Sequence, residues 1–171
     1  AGGSTNAASH SIEREFDDIV AVVGHIGGPL DILAHSYGAL CTIGAAPRLA
    51  KVDRIVLYEP PLNPPGSDIP DRIDQCVAKG DLEGGLRIFL TQVGVTEAEF
   101  ERLRALPNWP ERLTIVPSIP REFRAVRALT FAPEHLGRIS TRILLLLGSD
   151  SPPYFGEAIE LFARGLPNAD V

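Results

Sequence analysis

The sequence holds only two cysteines in 171 residues, Cys41 and Cys76, and their spacing fits no metal-binding pattern. Both are expected to be reduced thiols, which suits a cytoplasmic location. There is no excess of positive charge: 16 Lys and Arg stand against 22 Asp and Glu, a net charge of -6. An acidic chain of this kind argues against a nucleic acid or an anionic membrane as partner. No apolar run approaches the roughly 18 residues of a membrane span. The longest, "RILLLLG", is the size of a strand. The opening "AGGSTNAASH" lacks the basic start and apolar middle of a secretory leader, so none is expected. No internal repeat or low-complexity segment is present. The glycines of "GGPLD" and "GDLEGG" do not form a phosphate loop, and no cofactor is expected. Asp17-Asp18 and the trio Asp68, Asp71 and Asp74 read as solvated faces or helix starts, and no metal is expected.

What remains is a soluble globular pattern, with 44% hydrophobic and 22% charged residues and enough length for a real core. Ile12, Phe16, Ile19, Val20 and Val23 recur at helical spacing, which predicts a helix over 11–24 ended by "GHIGGP". "LDILAH" reads as a strand, followed by a helix of small residues to about Ala46. "DRIVLYEPP" reads as a second strand stopped by prolines, and "TRILLLLGSDSPP" as a third. Phe155, Ile159, Phe162 and Leu166 line a later helix, and "PNADV" begins a fourth strand. From Pro64 to about His135 there is no strand signal. Leu82, Leu86, Phe89 and Val93 share a helical face there, Thr96 opens a capping box closed by Glu99, and Phe123 and Val126 mark another helix. Trp109 either lines an inner surface of this segment or packs within it. Strands separated by helices predict an α/β fold with a parallel sheet and right-handed crossovers. Active sites of such sheets lie beyond the carboxyl ends of the strands, and Ser36, Glu59 and Asp150 all fall there.

The stretch "LDILAHSYGALCTIGAA" sets Ser36 between a strand and a helix. The ordinary reading is a serine N-cap. The sharper reading is a nucleophile elbow, usually written G-x-S-x-G, in which a tight, strained turn excludes large side chains two residues before and after the serine. Those positions are Ala34 and Gly38. With "AHSYGA" as elbow, "RIVLYEPP" as the next strand and "RILLLLGSDSPP" as the one after, the chain resembles the α/β-hydrolase fold superfamily over nearly all of its length. Ala34 replaces the usual first glycine.

The resemblance implies a serine hydrolase that attacks a small ester, thioester or related acyl substrate and passes through an acyl-enzyme. Ser36 would be the nucleophile and the Tyr37 N–H an oxyanion donor. The carboxylate could follow either of two strands. The later site has the spacing G-x-x-[DE], but Gly148-Ser149-Asp150-Ser151 carries its acid one residue early; Glu59 is therefore preferred to Asp150. The resemblance also implies a hydrolase core over 1–63 and 136–171 and a helical cap over 64–135. Strands before residue 11 and a histidine after the last strand are missing, so the chain reads as truncated at both ends and without triad-dependent hydrolysis of its own. His10, His25, His35 and His135 read as surface or packing residues, with His35 turned into the fold. The unpaired sheet edge at 30–35 implies self-association. The alternative is a non-catalytic hydrolase-like piece serving binding or assembly.

Overall fold

A computed structural model describes residues 10–171. In chain order its main elements are α1 (Ile12–Ile26), β1 (Leu30–His35), α2 (Tyr37–Ala45), β2 (Val52–Tyr58), α3 (Ile69–Ala78), α4 (Leu82–Gln92), α5 (Glu97–Arg104), α6 (Trp109–Thr114), α7 (Ile119–Ala128), α8 (Pro133–Gly137), β3 (Arg142–Leu146), α9 (Pro153–Gly165) and β4 (Ala169–Asp170). They fall into two compact units, one spanning Ser11–Pro64 with Val126–Val171 and the other containing Pro65–Ala125.

The first unit is an α/β layer. Its four strands are all parallel and lie in the order β1-β2-β3-β4. The register sets His35 beside Tyr58 and Tyr58 beside Leu146, so the carboxyl ends of β1, β2 and β3 finish level. Alternation along the strands gives the sheet two unlike faces. Ile55, Leu57, Ile143 and Leu145 are buried on one. Here α2 packs on β1 and α9 on β3. Leu33, Tyr58, Leu144 and Leu146 point the other way and are exposed.

The small residues after Ser36 have a packing reason. Every residue from Ala39 to Ala45 is buried, and the Phe16 ring of α1 lies so close to Gly44 that a methyl group there would overlap it. Gly27 ends α1 in the left-handed conformation, with its N–H donating to the Val23 carbonyl at 3.2 Å. The helix runs two residues past the expected Gly24, to Ile26.

The second unit is helical. Ile69, Ile73, Leu86, Phe100, Trp109, Val116, Ile119 and Phe123 form its core. Trp109 packs within that core, edge-on to Phe100 at 5.3 Å between ring centres. The capping box is formed: Glu99 N–H donates to Thr96 Oγ1, and Thr96 N–H donates to Glu99 Oε2 at 2.8 Å. The glycine-rich "GDLEGG" serves helix geometry. Asp81 caps α4 by accepting from Gly84 N–H at 2.9 Å, and Gly85 lets Val116 approach closely. Val93, expected on the α4 face, is instead the residue that ends that helix. Asp71 and Asp74 both accept from Arg124, at 2.6 and 2.7 Å. No group of three or more His, Cys, Asp or Glu among the described residues could hold a metal ion. No helix among them is long and apolar enough to cross a membrane.

Candidate active site

Ser36 sits at the joint of β1 and α2 with φ 53° and ψ -125°. That backbone conformation is rare for a residue with a side chain and arises where the structure around it forces a sharp turn. Two bonds do so here. The Ser36 N–H donates to the Tyr58 carbonyl at 2.9 Å, continuing the sheet, while the Ser36 carbonyl accepts from Leu40 N–H at 3.1 Å, starting the helix. One residue thus belongs to both elements. Its hydroxyl makes no capping bond to α2, which separates it from the ordinary serine N-cap. Tyr37 is the first residue of α2. Its N–H belongs to the helix's first turn, where amides and the dipole favour a developing negative charge.

Glu59 holds the matching place one strand over. It follows the last residue of β2, its N–H donates to the Leu146 carbonyl of β3 at 3.0 Å, and its φ is 51°. Prolines at 60 and 61 follow immediately. The residue is only 8% exposed. A buried carboxylate needs donors, and Oε1 has two: the Gly148 N–H at 2.9 Å and the Ser151 hydroxyl. Glycine at 148 is required by this approach, since a Cβ there would lie 2.6 Å from Ser151 Oγ and 3.0 Å from Glu59 Oε1. Burial, and secondarily the Glu59 charge, push the Tyr154 hydroxyl up to about 12.

The two candidate acids differ in surroundings. Asp150 is exposed on the turn after β3, where Ser151 N–H donates to the Gly148 carbonyl at 3.3 Å. Ser151, two residues behind the exposed Ser149, is the side chain that this turn brings to Glu59.

The two donors to Glu59 Oε1 are not histidines. His25 is exposed in the last turn of α1, and His10 precedes that helix. His135 lies on α8, a short helix with no advance signal in the periodicity, and its Nε2 is 3.1 Å from the Ile43 carbonyl. His35 departs from expectation. It is exposed, not turned into the fold, and stacks on Tyr58 at 5.0 Å between ring centres. The cause is the alternation of β1, which puts 31, 33 and 35 on the open face of the sheet while 30, 32 and 34 are partly buried.

A family model described as "Alpha/beta hydrolase family" matches residues 2–171, and the chain belongs to that family. Among solved structures it is similar to an alpha/beta hydrolase from Sphaerobacter thermophilus, at 26% identity and a TM-score of 0.83, covering 99% of this chain and 68% of that one. It is also similar to a lipase-esterase related protein from Clostridium acetobutylicum, at 13% identity and a TM-score of 0.71, over 98% of this chain and 68% of the other. A thermophilic esterase from Thermogutta terrifontis gives 18% identity and a TM-score of 0.63, over 99% and 65%. The last two likenesses concern the fold. No curated protein matches the chain.

Proposed function

We propose that these residues form the nucleophile-and-acid part of a serine hydrolase acting on a small apolar ester, thioester or related acyl substrate. The observation that carries the reading is the strained Ser36, its hydroxyl uncommitted to capping, one strand away from the buried, doubly held Glu59. Parallel strands lie about 4.8 Å apart, so one imidazole can reach between residues at adjoining strand ends.

In this reading Ser36 Oγ attacks the acyl carbon and gives its proton to an imidazole. The Tyr37 N–H donates to the oxyanion that forms. Collapse of the tetrahedral intermediate expels the alcohol or thiol, which takes the proton from the imidazolium, and leaves an acyl-Ser36. Water then repeats the sequence and frees the acid. Glu59 fixes the imidazole tautomer and stabilises the imidazolium. The four histidines present do not suit the part, so the reading takes the imidazole from sequence beyond these 171 residues. The relatives, of which the chain spans about two thirds, have room for it. The helical unit is taken as the family's cap, and two cysteines, Cys41 and Cys76, that form no disulfide fit a reducing compartment such as the cytoplasm.

The test is p-nitrophenyl ester hydrolysis by the protein in its full natural length. Ser36→Ala is expected to reduce turnover by several orders of magnitude, to the level left by binding and oxyanion contacts. Turnover that survives Ser36→Ala contradicts the proposal.

A further inference from the structure

We infer that Ser151 is a positioning residue for Glu59; the inference rests on the hydrolase reading above. A glutamate acting behind an imidazole has a difficulty that its length creates. It has one more rotatable bond than aspartate, and its terminal torsion is broad and two-fold, so the carboxylate plane is not fixed by rotamer preference alone. A catalytic hydrogen bond nonetheless requires placement within a fraction of an ångström.

The structure supplies the missing restraint at one oxygen. Gly148 N–H and Ser151 Oγ both donate to Oε1, and both come from the turn after β3. Neither engages Oε2, the oxygen available to an imidazole N–H. The turn is itself tightened by Ser151 N–H donating to the Gly148 carbonyl. Gly148 leaves space for the carboxylate and hydroxyl to meet. The anchor is therefore a unit of backbone amide and hydroxyl, clamping one lobe of the carboxylate from the neighbouring strand end.

This arrangement also accounts for a serine where G-x-x-[DE] spacing would put an acid. Side chain 151 already reaches the carboxylate of Glu59. A second carboxylate at 151 would place two like charges in one buried site, which drives one of them to protonate. A hydroxyl at the same position donates instead.

The experiment is steady-state ester hydrolysis by the full natural protein, its Ser36→Ala, Ser151→Ala and Ser151→Thr variants, Glu59→Ser and the exchange Glu59→Ser with Ser151→Asp. Melting temperatures are measured alongside. Ser151→Ala is expected to lower kcat by about tenfold to a hundredfold with KM unchanged. Ser151→Thr, which keeps the hydroxyl, is expected to retain most of kcat. The exchange is expected to recover at least about tenfold over Glu59→Ser alone, because it returns a carboxylate to the same place from the other strand end. Parent kcat in Ser151→Ala overturns the inference. So does a loss shared by kcat, KM and melting temperature that threonine does not restore, since that marks a merely structural serine. Parent turnover in Ser36→Ala overturns the hydrolase reading, and this inference with it, whereas loss in Ser36→Ala with an unaffected Ser151→Ala overturns this inference alone.

Discussion

Ser36 and Glu59 are both non-glycine residues at positive φ, and both stand one position past the end of a parallel strand. Such conformations cost on the order of 1–3 kcal/mol each and persist only where the surroundings enforce them. For Ser36 the enforcing bonds are the sheet bond to Tyr58 and the helix bond from Leu40; for Glu59 they are the bond to Leu146 and the two donors on Oε1. The same contrast separates the candidate acids. Glu59→Gln in the full natural protein is expected to lower kcat by about four orders of magnitude, as loss of a triad carboxylate does. Asp150→Asn, at an exposed turn position, is expected to leave it within about twofold. Steady-state kinetics on the two variants checks both; the reverse pattern would transfer the acid role to Asp150. Tyr154 gives a prediction in pH. Its folded value of about 12 lies above the ordinary 10, so the folded state keeps a proton that the unfolded chain gives up. Stability is therefore full below pH 10 and is expected to fall as pH rises toward 12. Denaturant midpoints across that window should show the fall, and Tyr154→Phe should flatten it.

At the scale of elements, the helix α2 explains why the chain after Ser36 is written in Ala, Gly and Cys. It is buried from Ala39 to Ala45, with the Phe16 ring of α1 against Gly44. Gly44→Ala is expected to cost about 1–3 kcal/mol by overpacking, read as a lower denaturant midpoint, and Phe16→Leu in the same chain should recover part of it. A neutral Gly44→Ala would contradict this packing. The strands β1 to β3 and their parallel direction were legible because their apolar runs are short, bounded by Gly, Pro or Asp, and interleaved with helical periodicity. The elbow was legible because the motif names its residue types, serine with small residues at 34 and 38; the expected crowding is not found at Gly38, where an added Cβ would meet nothing within 4 Å. Three features were not legible. The short helix carrying His135 has too few residues for a period to register. The orientation of His35 depends on which sheet face the helices cover, which alternation within one strand cannot say. Ser151 was in view only as a departure from G-x-x-[DE]; its bond to Glu59 links positions 92 residues apart and leaves no local trace.

For the whole molecule the asymmetry of the sheet matters most. Parallel sheets are normally covered on both faces, yet Leu33 is 77% exposed here and Leu144 and Leu146 are exposed on the same face two strands over. Among the described residues β1 pairs only with β2, and an open groove of about 660 Å³ runs along α1 and β1, lined by Val22, Ile26 and Leu33 among others. An unpaired apolar edge of this kind promotes association. The 171-residue chain on its own is expected to sediment as concentration-dependent oligomers, and Leu33→Lys should shift it toward monomer; a monomer at all concentrations would contradict the expectation. The central claim, that Ser36 is the nucleophile, is tested most directly by covalent capture. The full natural protein is treated with a fluorophosphonate, which forms a stable bond with an activated serine, and the adduct is located by peptide mass spectrometry. The account predicts a single adduct on Ser36 that forms in step with loss of esterase activity. An adduct on another residue, or inhibition with Ser36 unmodified, would contradict it.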